Sequence, residues 1–220
     1  MALICHTLRR IVFAALLATG LGAAPADADY DQVVAARAEK IVAAIGLPDL
    51  AKVGRVRTIV AQQYRDLRAI QEARDVRLAT AKSISAEKSA AATAAQAARD
   101  EADASVAKLH TAYLARLAAE LTPAQIDQVK DGMTYGVLPL TNRVYHEMLP
   151  TLTAEQKAQI LAWLTEAREH AMDGFTSDEK HAWFGKYKGR INNFLAKAGY
   201  NMKEAEKEML ARQKSERAAK

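Results

Sequence analysis

Apolar residues recur at helical spacing in every long segment of this chain, and no stretch sustains the two-residue alternation of a strand. A first helix is predicted over about residues 31–45, because Gly46-Leu47-Pro48 is a glycine and proline stop signal. A charged terminal helix is predicted over 201–220, with Asn201 as its cap. The pattern therefore predicts an all-α fold, an irregular helical bundle that forms a single domain over residues 29–220.

A long helical hairpin is predicted over residues 49–120. Its first arm carries an apolar stripe, formed by Val53, Val56, Val60, Tyr64 and Leu67. Its second arm is rich in alanine, with 11 alanines among the 22 residues of 86–107. Because alanine favours helix but buries little apolar area, we expect this part of the hairpin to project from the body. A flexible linker is the alternative, although the segment lacks the Gly and Pro that linkers usually carry.

The N-terminus has the pattern of a secretory signal. Arg9 and Arg10 precede a short apolar run over 11–24, and two small-residue cleavage patterns of the A-x-A type follow it. We therefore expect residues 1–28 to be a signal peptide, cleaved after Ala26 or Ala28, and the mature protein to be periplasmic or extracellular. A retained anchor is the alternative, but the run is shorter than the roughly 20 residues that a membrane span requires. No later segment is apolar enough for a stable span after signal removal.

Charge and cysteine content narrow the chemistry of this protein. Cys5, the only cysteine, lies in the predicted signal, so the mature chain is expected to lack disulfides and Cys-ligated metals. The formal net charge is +5, and the excess of Lys and Arg lies in residues 178–220. Such a region suits an anionic glycan or lipid, while export argues against nucleic acid as a partner. A solvated helix face is the alternative explanation.

The segment 181–200 combines aromatic and basic residues and contains no acidic residue. On a helix it forms an apolar arc, an arc with Gly185 and Gly189, and a basic arc. The candidate ligand-binding residues are Trp183, Lys186, Arg190, Asn193 and Lys197. An exposed ring can stack on a sugar, and the cations would suit acidic sugars. The alternative is an internal scaffold helix, since aromatic stripes at helical spacing usually belong to a core.

Two copies of one short motif, Leu121-Thr-Pro-Ala-Gln125 and Leu152-Thr-Ala-Glu-Gln156, stand before predicted helices. Each places Thr at the N-cap and Gln three residues later, which predicts a capping box. The motif resembles the LTxxQ motif of the Spy/CpxP family of periplasmic helical proteins. That resemblance implies a chaperone or envelope-stress protein as an alternative function, although capping alone explains the motif.

Several blocks along most of the mature chain are similar to an exported bacterial family, the domain of unknown function 3826. They are Gln62-Gln63-Tyr64-Arg65, Arg74-Asp75, Lys130-Asp131-Gly132-Met133-Thr134-Tyr135, Glu166-Ala167-Arg168-Glu169, Ala171-Met172-Asp173 and residues 179–192. The last block is the longest and most specific. The resemblance supplies no catalytic residue, and it implies a loose association with sugar binding and polysaccharide use.

No recognisable catalytic motif marks this chain as an enzyme: it has no G-x-S-x-G, P-loop or G-x-G-x-x-G sequence. Glu166, His170 and Asp173 have a spacing that could hold a divalent ion, but helical i,i+4 pairing explains it equally well. We therefore expect no metal and no cofactor. The sequence favours a non-enzymatic exported protein that binds a polysaccharide or an acidic oligosaccharide. The alternatives are the LTxxQ-type chaperone and a scaffold with no small ligand.

Overall fold

A computed structural model describes residues 27–84 and 88–218, and these residues form eight α-helices with no strand among them. The helices are α1 (Asp27–Ala43), α2 (Leu50–Ile84), α3 (Lys88–Ala118), α4 (Pro123–Met133), α5 (Val137–Met148), α6 (Ala154–Met172), α7 (Ser177–Lys197) and α8 (Met202–Ala218). The all-α prediction is therefore confirmed. The predicted signal lies outside the described residues, except for Asp27 and Ala28 at the start of α1.

Capping boxes begin three of these helices. The Thr122 hydroxyl accepts from the Gln125 N–H before α4, and the Thr153 hydroxyl accepts from the Gln156 N–H before α6. Both predicted capping boxes are therefore confirmed, and helix capping accounts for the LTxxQ pattern. Before α7 we predict Ser177 as the cap from its sequence position, and this is wrong. Thr176 is the N-cap, because its extended backbone directs its hydroxyl to the N–H of the third helical residue.

The helices α2 and α3 pack against each other in antiparallel directions. Arg55 near the start of α2 pairs with Glu120, and Arg77 near its end pairs with Glu101. Toward the far end of the pair, the residues buried between the helices are small, as Ala98 and Ala102 show. Little apolar area is therefore buried there.

The described residues form two hydrophobic cores. The first half of the fold, α1–α4, buries a core that includes Val34, Val56, Val60, Tyr113, Leu117 and Met133. The second half, α5–α8, buries a core that includes Tyr145, Ile160, Leu164, Phe184, Ile191 and Leu195. Met172 at the end of α6 packs into the first core, so α6 joins the two halves.

A buried arginine holds α6 against α4. Arg168 is 5% exposed and donates to Asp131 Oδ1 at 2.9 Å and to Asp127 Oδ1 at 2.5 Å. Burial alone would lower the pKa of Arg168, but its bonds to Asp131 and Asp127 raise it above the ordinary value. Lys130 and Glu169 form a second ion pair between the same helices, at 2.7 Å. The junction between the two halves is therefore ionic as well as apolar.

None of the helices in the described part of the chain is both long enough and apolar enough to cross a membrane.

Candidate ligand-binding site

A cavity of about 390 Å³ lies between the two halves of the fold. Helices α1 and α2 form one wall, and the turn after α4, the α6–α7 loop and the start of α7 form the other. Four aromatic side chains line it, those of Tyr30, Tyr64, Tyr135 and Phe175, and we call it the tyrosine pocket. Its volume lies in the range typical of pockets for small ligands.

Tyr30 and Tyr64 are fixed by contacts between α1 and α2. The Tyr30 hydroxyl donates to the backbone carbonyl of Tyr64 at 3.0 Å, and the Arg68 guanidinium lies 4.2 Å from the Tyr30 ring centroid. Burial raises the pKa of Tyr30 and raises that of Tyr64 to about 12. Both phenols therefore stay neutral at neutral pH and offer apolar ring surface.

Lys180 brings a buried cation to the tyrosine pocket. It is 4% exposed, and its ammonium donates to the Met172 carbonyl at 3.1 Å and lies 5.9 Å from the Tyr64 ring centroid. No carboxylate of the described residues forms an ion pair with it. Burial lowers the pKa of Lys180 to about 8, although the more distant Asp173 opposes this shift. The amine is thus mostly charged at pH 7, and no carboxylate of the described residues lies within ion-pair distance of it.

Arg37 is a second cation at this pocket. Its guanidinium carbon lies 5.8 Å from the Tyr64 ring centroid, and no acid in the described part of the chain pairs with it. The two pocket carboxylates, by contrast, already have partners: Glu72 pairs with Arg68, and Asp75 pairs with Arg74. Among the described residues, the pocket cations without an ion-pair partner are therefore Lys180, which is buried, and Arg37, which is exposed to water.

The α6–α7 loop that closes one side of the pocket is held by the capping box of α7. The Glu179 carboxylate accepts from the N–H groups of Phe175 and Thr176, at 2.7 and 3.1 Å. The Arg74 guanidinium lies 4.8 Å from the Phe175 ring centroid. A Cβ on Gly174 would stand 3.0 Å from Lys180 Cγ, so glycine at this position gives the lysine side chain room to reach the pocket.

The five residues predicted from the sequence lie elsewhere on α7, and none of them lines the tyrosine pocket. Trp183 is partly buried and stacks on His170 at 4.3 Å, with the Lys186 ammonium 4.9 Å from its ring. Arg190 lies 4.6 Å from the Trp163 ring and 3.7 Å from Glu166. We call this surface the α6–α7 seam. Asn193 and Lys197 are exposed on the same helix.

Lys180 is the pocket residue that the sequence reasoning missed. It precedes Phe184 by four residues and Tyr187 by seven, so it falls on the apolar stripe of α7. A lysine on an apolar stripe was the available signal, because charged side chains are rarely fully buried unless they are paired. Tyr64 belongs to the apolar stripe of α2, which predicts a core residue, and Tyr135 stands beside Gly136 in a turn.

No metal-binding group of three or more His, Cys, Asp or Glu side chains occurs among the described residues. Of the three residues whose spacing could hold a divalent ion, Glu166 and Asp173 have other partners. Glu166 pairs with Arg190, and Asp173 bonds to His110 Nδ1 at 2.6 Å. The hydrogen bond with Asp173 raises the pKa of His110. These carboxylates therefore serve contacts between helices.

Comparison with known proteins identifies the family. A family model described as protein of unknown function (DUF3826) matches residues 31–215, while no curated protein matches significantly. Four of the sequence blocks that carried the resemblance contribute Tyr64, Asp75, Tyr135 and Lys180 to the tyrosine pocket. The predicted resemblance is confirmed, and the chain belongs to the DUF3826 family.

Proposed function

We propose that this protein is an exported, non-enzymatic binding protein that takes a carboxylate-bearing carbohydrate, such as an acidic oligosaccharide, into the tyrosine pocket. One observation carries the proposal: Lys180 and Arg37, which have no carboxylate partner among the described residues, stand beside aromatic rings in a cavity of about 390 Å³.

The chemistry of the pocket suits both the carboxylate and the sugar ring of such a ligand. A buried charge is unfavourable unless a partner compensates it, and a ligand carboxylate would supply the counter-ion that Lys180 lacks. A pyranose presents an apolar C–H face to an aromatic ring, and Tyr64 and Tyr30 stay neutral beside the cations. An acidic sugar offers the apolar face and the anion in one molecule.

Calorimetric titration with the trisaccharide of galacturonic acid tests the proposal. Its methyl ester is the matched control ligand, because it keeps the shape and removes the charge. We expect the acid to bind at least about tenfold more tightly than the ester, since charge-assisted hydrogen bonds are stronger than neutral ones. Equal affinity for the two ligands, or no binding of either, would contradict the proposal.

Substitutions separate the pocket from the α6–α7 seam, which is the second candidate. The seam is favoured by its two Trp rings, each with a cation above it. The Trp183 ring, however, already stacks on His170, and Arg190 already pairs with Glu166. We therefore expect Arg37→Met to weaken binding of the acidic trisaccharide about tenfold and Arg190→Met to leave it unchanged. The reverse result would move the site to the seam.

Export is part of the proposal and has its own test. The positive and apolar segments before Ala26 support cleavage after Ala26 or Ala28. Sequencing the N-terminus of protein from its native host should find Asp27 or Asp29 as the first residue. An intact Met1 would contradict cleavage, and recovery of the protein from the cytoplasm would contradict export.

A further inference from the structure

We infer that Tyr135 is the residue on which the ligand's sugar ring stacks at the tyrosine pocket. This inference rests on the proposed function of that pocket. Tyr135 would thereby determine which sugars the pocket accepts, whereas Lys180 and Arg37 select for the negative charge.

Tyr135 occupies a backbone position that normally belongs to glycine. Its φ is +59°, and it is the one non-glycine residue with positive φ in the described part of the chain. It follows the C-cap of α4, where Gly136 N–H donates to the Asp131 carbonyl at 2.8 Å and Tyr135 N–H donates to the Gly132 carbonyl. This is a Schellman motif, which strongly favours glycine at the position of Tyr135.

Apart from its ring contact with His181 of α7, the side chain of Tyr135 contributes little to the fold in exchange for this strain. Tyr135 is 50% exposed, and its hydroxyl has no hydrogen-bond partner among the described residues. The bonds that close the turn are made by backbone groups, so they do not require a tyrosine. A strained residue that neither packs in a core nor holds a turn points to a role in binding.

The ring is nevertheless held in a defined place. It stacks on His181 of α7, with centroids 5.6 Å apart and an interplanar angle of 22°. Tyr135 lines the pocket together with Lys180, the residue before His181 on α7. A sugar whose carboxylate meets Lys180 would thus find an oriented, half-exposed ring in the same cavity.

Three substitutions of Tyr135 and one of Gly136 distinguish the effect of the aromatic ring from the effect of the backbone strain. Tyr135→Phe keeps the ring, Tyr135→Ala removes it and keeps the strained backbone, and Tyr135→Gly removes both. Gly136→Ala is the matched control: Gly136 has φ +64°, and no atom within 4 Å would meet an added Cβ. That substitution adds strain without changing the ring.

The readouts are the affinity of the full mature chain for galacturonic acid trisaccharide and the melting temperature. We expect Tyr135→Phe to bind like the unaltered protein, and Tyr135→Ala and Tyr135→Gly to lose about tenfold in affinity. Tyr135→Gly should also melt about 2 °C higher than Tyr135→Ala, because both lack the ring and only glycine relieves the strain, whereas Gly136→Ala should lower the melting temperature and keep the affinity.

The outcomes distinguish this inference from the proposed function. If the unaltered protein and Tyr135→Gly bind the trisaccharide equally, Tyr135 is not the stacking residue, while the pocket remains the site. A melting temperature of Tyr135→Gly no higher than that of Tyr135→Ala would overturn the strain argument. If the unaltered protein binds no acidic trisaccharide, the proposed function fails and this inference fails with it.

Discussion

Replacing Lys180 by Met should make the protein more stable at neutral pH, because the buried ammonium is unfavourable where it stands. A pKa displaced from 10.5 to about 8 corresponds to about 3 kcal/mol of stability that the charged amine removes at pH 7. Methionine has a similar length and no charge, but it loses the hydrogen bond to the Met172 carbonyl. We therefore expect Lys180→Met to raise the free energy of unfolding by about 2 kcal/mol at pH 7.

The pH dependence identifies the lysine as the cause. The folded protein releases the Lys180 proton at a lower pH than the unfolded chain does. The stability that is missing at pH 7 is therefore regained as the pH rises from about 8 toward 10.5. Between pH 7 and about 9.5 the advantage of Lys180→Met should shrink by about 2 kcal/mol. Burial also raises the pKa of Tyr64, but that effect is common to both proteins and cancels in the difference.

Urea denaturation at the two pH values measures these differences. Lys186→Met is the matched control, since Lys186 is an exposed lysine on the same helix. This substitution should change the free energy of unfolding at pH 7 by less than about 0.5 kcal/mol, and it should leave the dependence of stability on pH unchanged. The reasoning would be refuted if Lys180→Met were less stable than the unaltered protein at pH 7 and had the same pH profile.

Three further predictions concern the ion pairs and the helical hairpin outside the tyrosine pocket. Arg168→Met should lower the free energy of unfolding by about 2 kcal/mol, because it removes the charged hydrogen bond that the buried guanidinium makes to the partly buried Asp131. Arg57→Met, which removes an exposed pair, should cost less than about 1 kcal/mol, and urea denaturation compares the two. Stability from the raised pKa of His110 should be fully present below pH 6.5 and lost as the pH rises through that raised value. The advantage of the unaltered protein over His110→Gln should therefore fall as the pH rises above 6.5, and a constant advantage would exclude this contribution. In hydrogen exchange, amides of 88–107 should exchange faster than those of 160–164, and equal protection would contradict a thinly packed hairpin.

The helix ends of this protein follow from local chemistry, which is why the sequence predicts them well. Thr122 and Thr153 each meet a glutamine three residues later, and both capping boxes form. Gly199 follows the C-cap of α7 and has φ +92°, a conformation that glycine adopts without strain after the end of a helix. These signals act within a single turn of helix, so no knowledge of the tertiary structure is needed.

The tyrosine pocket depends on packing that no local pattern encodes. Tyr30, Tyr64, Tyr135 and Lys180 come from separate segments, and the docking of the two halves brings them to one cavity. In the sequence, Tyr64 has the spacing of a core residue. The sequence predicts a ligand site in the segment 181–200 because basic and aromatic residues lie close together in the chain there. The residues of the tyrosine pocket are close together only in the folded protein.

In the proposed complex, a ligand carboxylate neutralises the buried ammonium of Lys180 in the tyrosine pocket. The most direct measurement is the pKa of the Lys180 amine by NMR, from the shift of its ¹³Cε, without ligand and at saturation with galacturonic acid trisaccharide. We predict a pKa of about 8 in the free protein, because burial destabilises the ammonium, and a clear rise when the ligand is bound. A pKa near 10.5 in the free protein, or one that saturation with the ligand leaves unchanged, would contradict the account.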